Sequence, residues 1–297
     1  MKFSIFLFAI TVPFLSCQNN IKPTNKISST TNKNLIINGT VVKEDSEIAK
    51  HVVLIHNVTQ DYVCSGTLIM NDLVVTAAHC LTDPQDAYHI IFNVNGYEII
   101  DHMDPLYFRK SSRVIIHPDY VLDINKQPLT DQSDIGLIYF EGNLPEGYSP
   151  VDVLYDQIDL KKNQQVVLAG YGVDHIYQLE ISYKKSQKFQ NRIDNGEVVC
   201  DFDIKDKDGL PTCLEIDFYG DGILRTTSTY IIYISNSEFV LDEKLTGTCS
   251  GDSGGPVFIQ KNGKLFLAGL TSRGDFLCQS EGTYTSIPSH LEWILSH

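Results

Sequence analysis

Basic residues are scarce in this chain. Its 297 residues include 23 Lys+Arg against 37 Asp+Glu, for a formal net charge of −14. A broadly acidic surface repels phosphate backbones, so nucleic acid is excluded as an expected partner and the plain reading of the charge is solubility. Long apolar runs are also missing after Leu15. None approaches the ~20 residues that a membrane-spanning helix needs. No internal repeat is visible. The 42% of hydrophobic residues suffice for one large core or two smaller ones.

The start of the chain has a different character. Lys2 is followed by the mostly apolar stretch Phe3–Leu15, then Ser16-Cys17 and the polar Gln18-Asn19-Asn20. This is the pattern of an export signal, assigned to residues 1–16. Phe14-Leu15-Ser16-Cys17 resembles a bacterial lipoprotein signal, in which the cysteine becomes the acylated first residue, although Leu is more usual where Phe14 stands. An ordinary cleaved signal that happens to contain a cysteine is the alternative. A lipid on Cys17 would hold the chain on a membrane without spanning it. The expected location is secreted or extracytoplasmic. Of seven cysteines, removing Cys17 leaves Cys64, Cys80, Cys200, Cys213, Cys249 and Cys278, an even set that suits disulfides in an oxidising compartment.

Residues 17–35 are rich in Asn, Lys, Ser and Thr and read as a flexible propeptide. From Ile36 onward short apolar, β-branched runs recur: 51–58, 62–70, 89–94, 113–117, 134–140, 164–169, 230–235, 256–260 and 264–271. Asn95-Gly96 and Asn262-Gly263 lie between such runs and signal hairpins. Many short strands at this spacing mean an all-β sandwich or barrel. Leu291, Ile294 and Leu295 recur at helical spacing and predict one C-terminal helix. Residues 173–221 are polar and read as an inserted surface loop stapled by Cys200–Cys213. Asp206-Lys207-Asp208-Gly209 hints at a calcium loop, but Ile204 stands where that pattern needs an oxygen ligand. No metal and no cofactor are expected.

Three motifs carry chemistry. Gly251-Asp252-Ser253-Gly254-Gly255-Pro256 sets a serine in a glycine-rich turn, Thr76-Ala77-Ala78-His79-Cys80 offers a base, and Ser133-Asp134-Ile135-Gly136-Leu137 places an acid before an apolar strand. Asp131 is a nearby competitor for the acid. Serine-based acyl transfer needs this set: a hydroxyl, a base to take its proton, an acid to orient the base, and donors for the oxyanion. In these motifs, and over Ile36 to His297 apart from the insert, the chain resembles the chymotrypsin/trypsin family of serine proteases. Ile115-Ile116-His117-Pro118-Asp119-Tyr120 and Gly170-Tyr171-Gly172 add to the likeness, His117 being structural. The order His, Asp, Ser and the lack of a Gly-x-Ser-x-Gly turn argue against an esterase on another fold.

The resemblance implies two packed antiparallel Greek-key β-barrels, about 36–150 and 151–297, with a C-terminal helix and the active site in the cleft between them. It implies His79, Asp134 and Ser253 as catalytic triad, the N–H groups of Gly251 and Ser253 as oxyanion hole, and disulfides Cys64–Cys80 and Cys249–Cys278. It implies a zymogen cut between Leu35 and Ile36, whose new α-ammonium pairs with Asp252. Substrates would be proteins or peptides, and the enzyme a monomer. Gly247, Thr248, Ser272, Arg273, Gly274 and Gly282 would line the substrate pocket. Gly247 stands where trypsins carry an acid, so the pocket is expected to prefer apolar side chains, and the enzyme to cut after its own Leu35. Asp275 or Glu281 would change that if turned inward. Arg273 replaces a tryptophan of the cleft and would favour acidic residues beside it. Val166 and Ile259 replace a disulfide common in the family.

Overall fold

The computed structural model describes residue 36, residues 39–121, residue 128 and residues 130–297. The export signal, Cys17, the stretch 17–35 with Leu35, and Asn38, which opens the glycosylation-type triplet Asn38-Gly39-Thr40, lie outside the described residues, Gly39 and Thr40 excepted. Strand β1 (Thr40–Val41) belongs to the second half of the fold, where it pairs with a later strand.

The first barrel is built from β2 (Val52–Asn57), β3 (Tyr62–Met70), β4 (Leu73–Thr76), β5 (Tyr88–Ile91), β6 (Phe108–Ile116) and β7 (Gly136–Phe140). They close in the order β2-β3-β4-β7-β6-β5, each pair antiparallel. Strand β2 reads Val-Val-Leu-Ile without polar alternation because both its faces are buried. Val53 and Ile55 fill the barrel with Leu68, Val74, Ile90, Phe92 and Ile138. Val52 and Leu54 face outward into a second cluster shared with Ala169, Tyr171, Phe258, Leu267, Leu270 and Ile287. That shared cluster is the seam between the two halves.

After β8 (Asp152–Val153) the second barrel uses β9 (Gln165–Gly170), β13 (Arg225–Ile234), β14 (Glu238–Asp242), β15 (Pro256–Lys261), β16 (Lys264–Gly274) and β17 (Glu281–Ser286). Strand β9 pairs with both β13 and β15, closing the ring. Val166 and Ile259 are buried together in its core, among Leu168, Ile231, Phe239 and Leu241, so apolar packing fills the place of the absent disulfide. The two-barrel expectation therefore holds. The C-terminal helix is short, a turn at Pro288–His290 running into α3 (Leu291–Leu295). Ile294 enters the seam, and Trp293 packs on His117.

The two Asn-Gly signals divide. Asn262 and Gly263 both have positive φ, 52° and 80°, and join β15 to β16 in a tight hairpin. Asn95-Gly96 makes no hairpin. Asn95 caps helix α1 (Gly96–His102), its side chain accepting the Glu98 N–H, and Gly96 lies so close to Leu54 that a Cβ would stand 2.4 Å from its Cδ1. Asn57, which opens the glycosylation-type triplet Asn57-Val58-Thr59, is fully buried and donates to Tyr62 Oη and Asp86, so it is closed to a glycan.

The polar stretch 173–221 is folded rather than a loop. Strands β10 (His175–Ser182), β11 (Val198–Lys205) and β12 (Pro211–Tyr219) form an antiparallel sheet in the order β10-β12-β11, with α2 (Gln187–Asp194) on it. Few apolar residues suffice because they converge: Phe189, Val198 and Cys213 are buried, with Ile181, Tyr183 and Ile193 around them. Cys200 and Cys213 face each other in register and are joined. A loop of this length contributes about 3 kcal/mol through the unfolded chain, a large share of what so small a core can supply. Replacing both cysteines with serine is expected to open the insert while leaving the barrels folded. Limited proteolysis should then cut within 184–211, and circular dichroism should keep the barrel melting transition.

Candidate active site

His79 sits on a single turn, Ala78–Cys80, directly after β4. The turn is pinned by the Cys64–Cys80 disulfide to β3, and Thr76 Oγ1 donates to the Ser65 carbonyl beneath it. Asp134 enters from the other side, just ahead of β7, and is 2% exposed. Its Oδ2 lies 2.8 Å from His79 Nδ1, and its Oδ1 accepts the His79 backbone N–H at 3.0 Å. Ser272 Oγ donates to the same Oδ2 at 2.6 Å, and Thr285 Oγ1 to the Asp134 carbonyl. Two hydroxyls of the second barrel thus hold an acid of the first.

Burial alone would make both charged forms costly, raising the acid and lowering the imidazole. Their mutual attraction and hydrogen bond reverse this, together with Ser272 and the His79 N–H on the acid. The His79 pKa is raised and that of Asp134 lowered. Asp131 is not part of this arrangement. It accepts from Ser235 Oγ and from Ser237 N–H and Oγ, tying two loops of the fold.

Ser253 is presented by the turn before β15. Gly251 and Gly254 have φ of 92° and 75°, and a Cβ on Gly254 would stand 2.0 Å from Thr76 Oγ1, so the serine turn rests against the histidine turn with no room for a side chain. Cys80 Sγ lies 3.6 Å from the Ser253 carbonyl oxygen. Ser65, unnoticed in the sequence, links the halves. Its N–H donates to the Ser253 carbonyl at 2.8 Å, its Oγ donates to the Gly251 carbonyl, and the same Oγ accepts the Tyr171 N–H.

Behind Ser253, Asp252 is fully buried. It accepts the Gly172 N–H at 2.8 Å and the Cys249 N–H at 2.9 Å. Burial is the dominant influence, and its pKa is pushed up to about 7. Cβ atoms on Gly170 and Gly172 would collide with this carboxylate at 2.2 and 2.4 Å. Ile36 is fully buried as well.

The residues expected to line the pocket divide in role. Gly274 and Gly282 face each other across β16 and β17, and Cys249–Cys278 closes the frame. Ser272 serves Asp134. The Arg273 guanidinium is engaged by Glu238 in a two-pronged pair at 2.7 and 2.8 Å, which removes the ground for its favouring acidic substrate residues. Asp275 turns into its own loop, accepting from the backbone N–H groups of Leu277, Gln279 and Ser280, and Glu281 is exposed. Glu243 is the acid buried beside these residues. It is 3% exposed, its Oε1 accepts from Thr248 N–H and Oγ1 and from Tyr284 Oη, and it lies against Gly247 and Gly282. The apolar expectation rested on there being no acid beside Gly247, and Glu243 is such an acid. In the sequence Asp242-Glu243-Lys244 reads as solvated charge, with no local signal of burial.

Cys64, His79 and Cys80 bring metal-type donors within 4.8 Å of one another, but the two sulfurs are joined as a disulfide and supply no thiolate.

The trypsin family model matches residues 36–294. Among curated proteins, the chain is 24% identical over 257 residues to chicken urokinase-type plasminogen activator, covering 80% of this chain and 51% of that one. It is 26% identical over 242 residues to mouse serine protease 28, covering 80% and 78%. It is 23% identical over 274 residues to rat vitamin K-dependent protein C, covering 88% and 51%. The chain thus spans about half the length of two of these relatives. All three come from vertebrates and lend nothing to a bacterial-lipoprotein reading of Phe14–Cys17. The match over both barrels, with the His79–Asp134 pair at their junction, means that this chain belongs to the trypsin family of chymotrypsin-like serine peptidases.

Proposed function

We propose that the chain is a secreted or extracytoplasmic serine endopeptidase, made as a zymogen, that cleaves proteins or peptides through an acyl-enzyme on Ser253. The observation that carries this reading is the His79–Asp134 pair set against the Ser253 turn. Ser253 Oγ attacks the scissile carbonyl, and His79 Nε2 takes the hydroxyl proton. Asp134 holds Nδ1 protonated and stabilises the imidazolium that forms. His79 then delivers the proton to the departing amine, and water repeats the cycle on the ester. The N–H groups of Gly251 and Ser253 face the developing oxyanion; one such donor is worth about 3–4 kcal/mol. The enzyme acts as a monomer, and a lipid on Cys17, where one is added, would tether only the precursor.

Activation is cleavage between Leu35 and Ile36, after which the Ile36 ammonium pairs with Asp252. A fully buried carboxylate whose hydrogen-bond donors are backbone N–H groups supports this, because an ionised acid so placed is costly until a cation reaches it.

A fluorophosphonate probe is expected to label a form starting at Ile36 and not the full chain, with Ser253→Ala abolishing the signal; equal labelling of both forms would remove the zymogen reading. Asp134→Asn should lower kcat about 10⁴-fold with KM little changed, measured on a peptide substrate. The wild-type acid limb should sit above the ordinary histidine value, because the pair raises the His79 pKa. Asp252 sets a pH dependence of stability. Its folded pKa of about 7 lies above the ordinary 3.8, so between these values the native uncut chain holds a proton that the unfolded chain has lost. Stability therefore falls as pH rises from 4 to 7, by about 4 kcal/mol at most from this group. Denaturant titrations at pH 5 and 8 should show the fall in the full chain, a reduced fall in Asp252→Asn, and a reduced fall after cleavage.

A further inference from the structure

Glu243 stands in a place that the motifs do not mark. It follows β14, and its backbone N–H donates to the Ser280 carbonyl, which draws the residue inward between the two walls of the pocket. A Cβ built on Gly247 would meet the Glu243 side chain at 2.4 Å, and one on Gly282 would lie 2.3 Å from Oε2. One on Gly274 would lie 3.9 Å from the same oxygen. All three pocket glycines therefore look onto this one side chain. Its two oxygens differ in partners. Oε1 is saturated by Thr248 N–H and Oγ1 and by Tyr284 Oη. Among the described residues no hydrogen-bond donor reaches Oε2, which lies beside the paired glycines Gly274 and Gly282.

Charge points the same way. The charged neighbour that acts on Glu243 itself is acidic, Asp275, and the cation nearby, Arg225, acts on Asp252 instead. A buried carboxylate with one oxygen left without a donor, set against three glycines and beside an acidic neighbour, fits one kind of occupant. That occupant is a long side chain with a cation at its tip, whose apolar stem lies along the glycine walls. An apolar side chain in the same slot would strip water from Oε2 and leave it without a partner.

We propose that Glu243 is the specificity-determining carboxylate of this site and selects Lys or Arg at the substrate position before the scissile bond. The inference rests on Ser253 acting as nucleophile at the same site. It places the acid on the segment after β14, four residues before Gly247, so a pocket that lacks an acid at Gly247 still has one at its base. An enzyme of this preference does not cut after Leu35. The bond before Ile36 then falls to another protease, and self-activation is ruled out.

The test uses the form starting at Ile36 and four peptide amides identical except for Arg, Lys, Leu or Phe before the scissile bond. Arg and Lys are expected to exceed Leu and Phe by about 100-fold in kcat/KM, the range for pairing a buried charge. Glu243→Gln should lose about that factor on Arg and Lys alone, while fluorophosphonate labelling of Ser253 persists. Benzamidine, an arylamidine cation, should bind the Ile36 form and its Ser253→Ala variant by calorimetry and not Glu243→Gln. That measurement needs no catalysis, and the wild-type arms stand even where the variant fails to fold. A wild-type preference for Leu or Phe, or no benzamidine binding, overturns the proposal. Benzamidine binding without any labelling of Ser253 would uphold the cation site and overturn the hydrolase reading instead.

Discussion

The active-site side of the second barrel is organised around one buried acid. Asp252 is fully enclosed, and its two oxygens take backbone N–H groups from Gly172 and Cys249, which lie on different segments. To satisfy them the chain must bring three things to one point: the end of β9, the pocket disulfide and the serine turn. The cost of leaving such a carboxylate unpaired is several kcal/mol, which is why Gly170 and Gly172 are kept free of side chains around it. The neck of the insert begins at the next residues. Val173 N–H donates to Ser250, and Asp174 pairs with Arg225 at 2.7 Å. The insert is therefore mechanically continuous with the walls of the Asp252 site.

The second constraint is that neither barrel contains a complete site. His79 and Asp134 come from the first barrel and Ser253 from the second. The positioning contacts cross between them: Ser272 and Thr285 to Asp134, Ser65 to Ser253 and Gly251. Catalytic geometry of this kind tolerates little displacement, and the apolar seam around Leu54, Tyr171 and Phe258 supplies the rigidity.

Electrostatics at the site use opposite solutions for buried acids. Asp134 is kept ionised by a nearby imidazole and two further donors, the His79 N–H and Ser272 Oγ. Asp252 and Glu243 have only neutral donors, and burial pushes both upward. In the first case the charge works within the folded chain. In the other two no cation among the described residues stands within hydrogen-bond reach, and burial favours the neutral form.

Much of this was legible in the sequence because it is local. The His79 and Ser253 turns are short backbone devices whose glycines, alanines and cysteine lie within a few residues of the reacting group. The β-branched runs marked most strands of both barrels, and Asn262-Gly263 marked its hairpin, since pleat and turn chemistry act at the range of two to four residues. What depended on partners distant in the chain was settled only by the tertiary structure. The choice of Asp134 over Asp131 needed Ser272 and Thr285, and Asn95 became a helix cap because Leu54 closes over Gly96. Residues 173–221 looked solvated because charge is read residue by residue, while their small core exists only once the sheet brings Phe189, Val198 and Cys213 together. Glu243 is the sharpest case. In sequence it is one acid in a charged run, and only the convergence of Thr248, Tyr284 and three glycines from separate segments buries it beside the serine turn's disulfide frame.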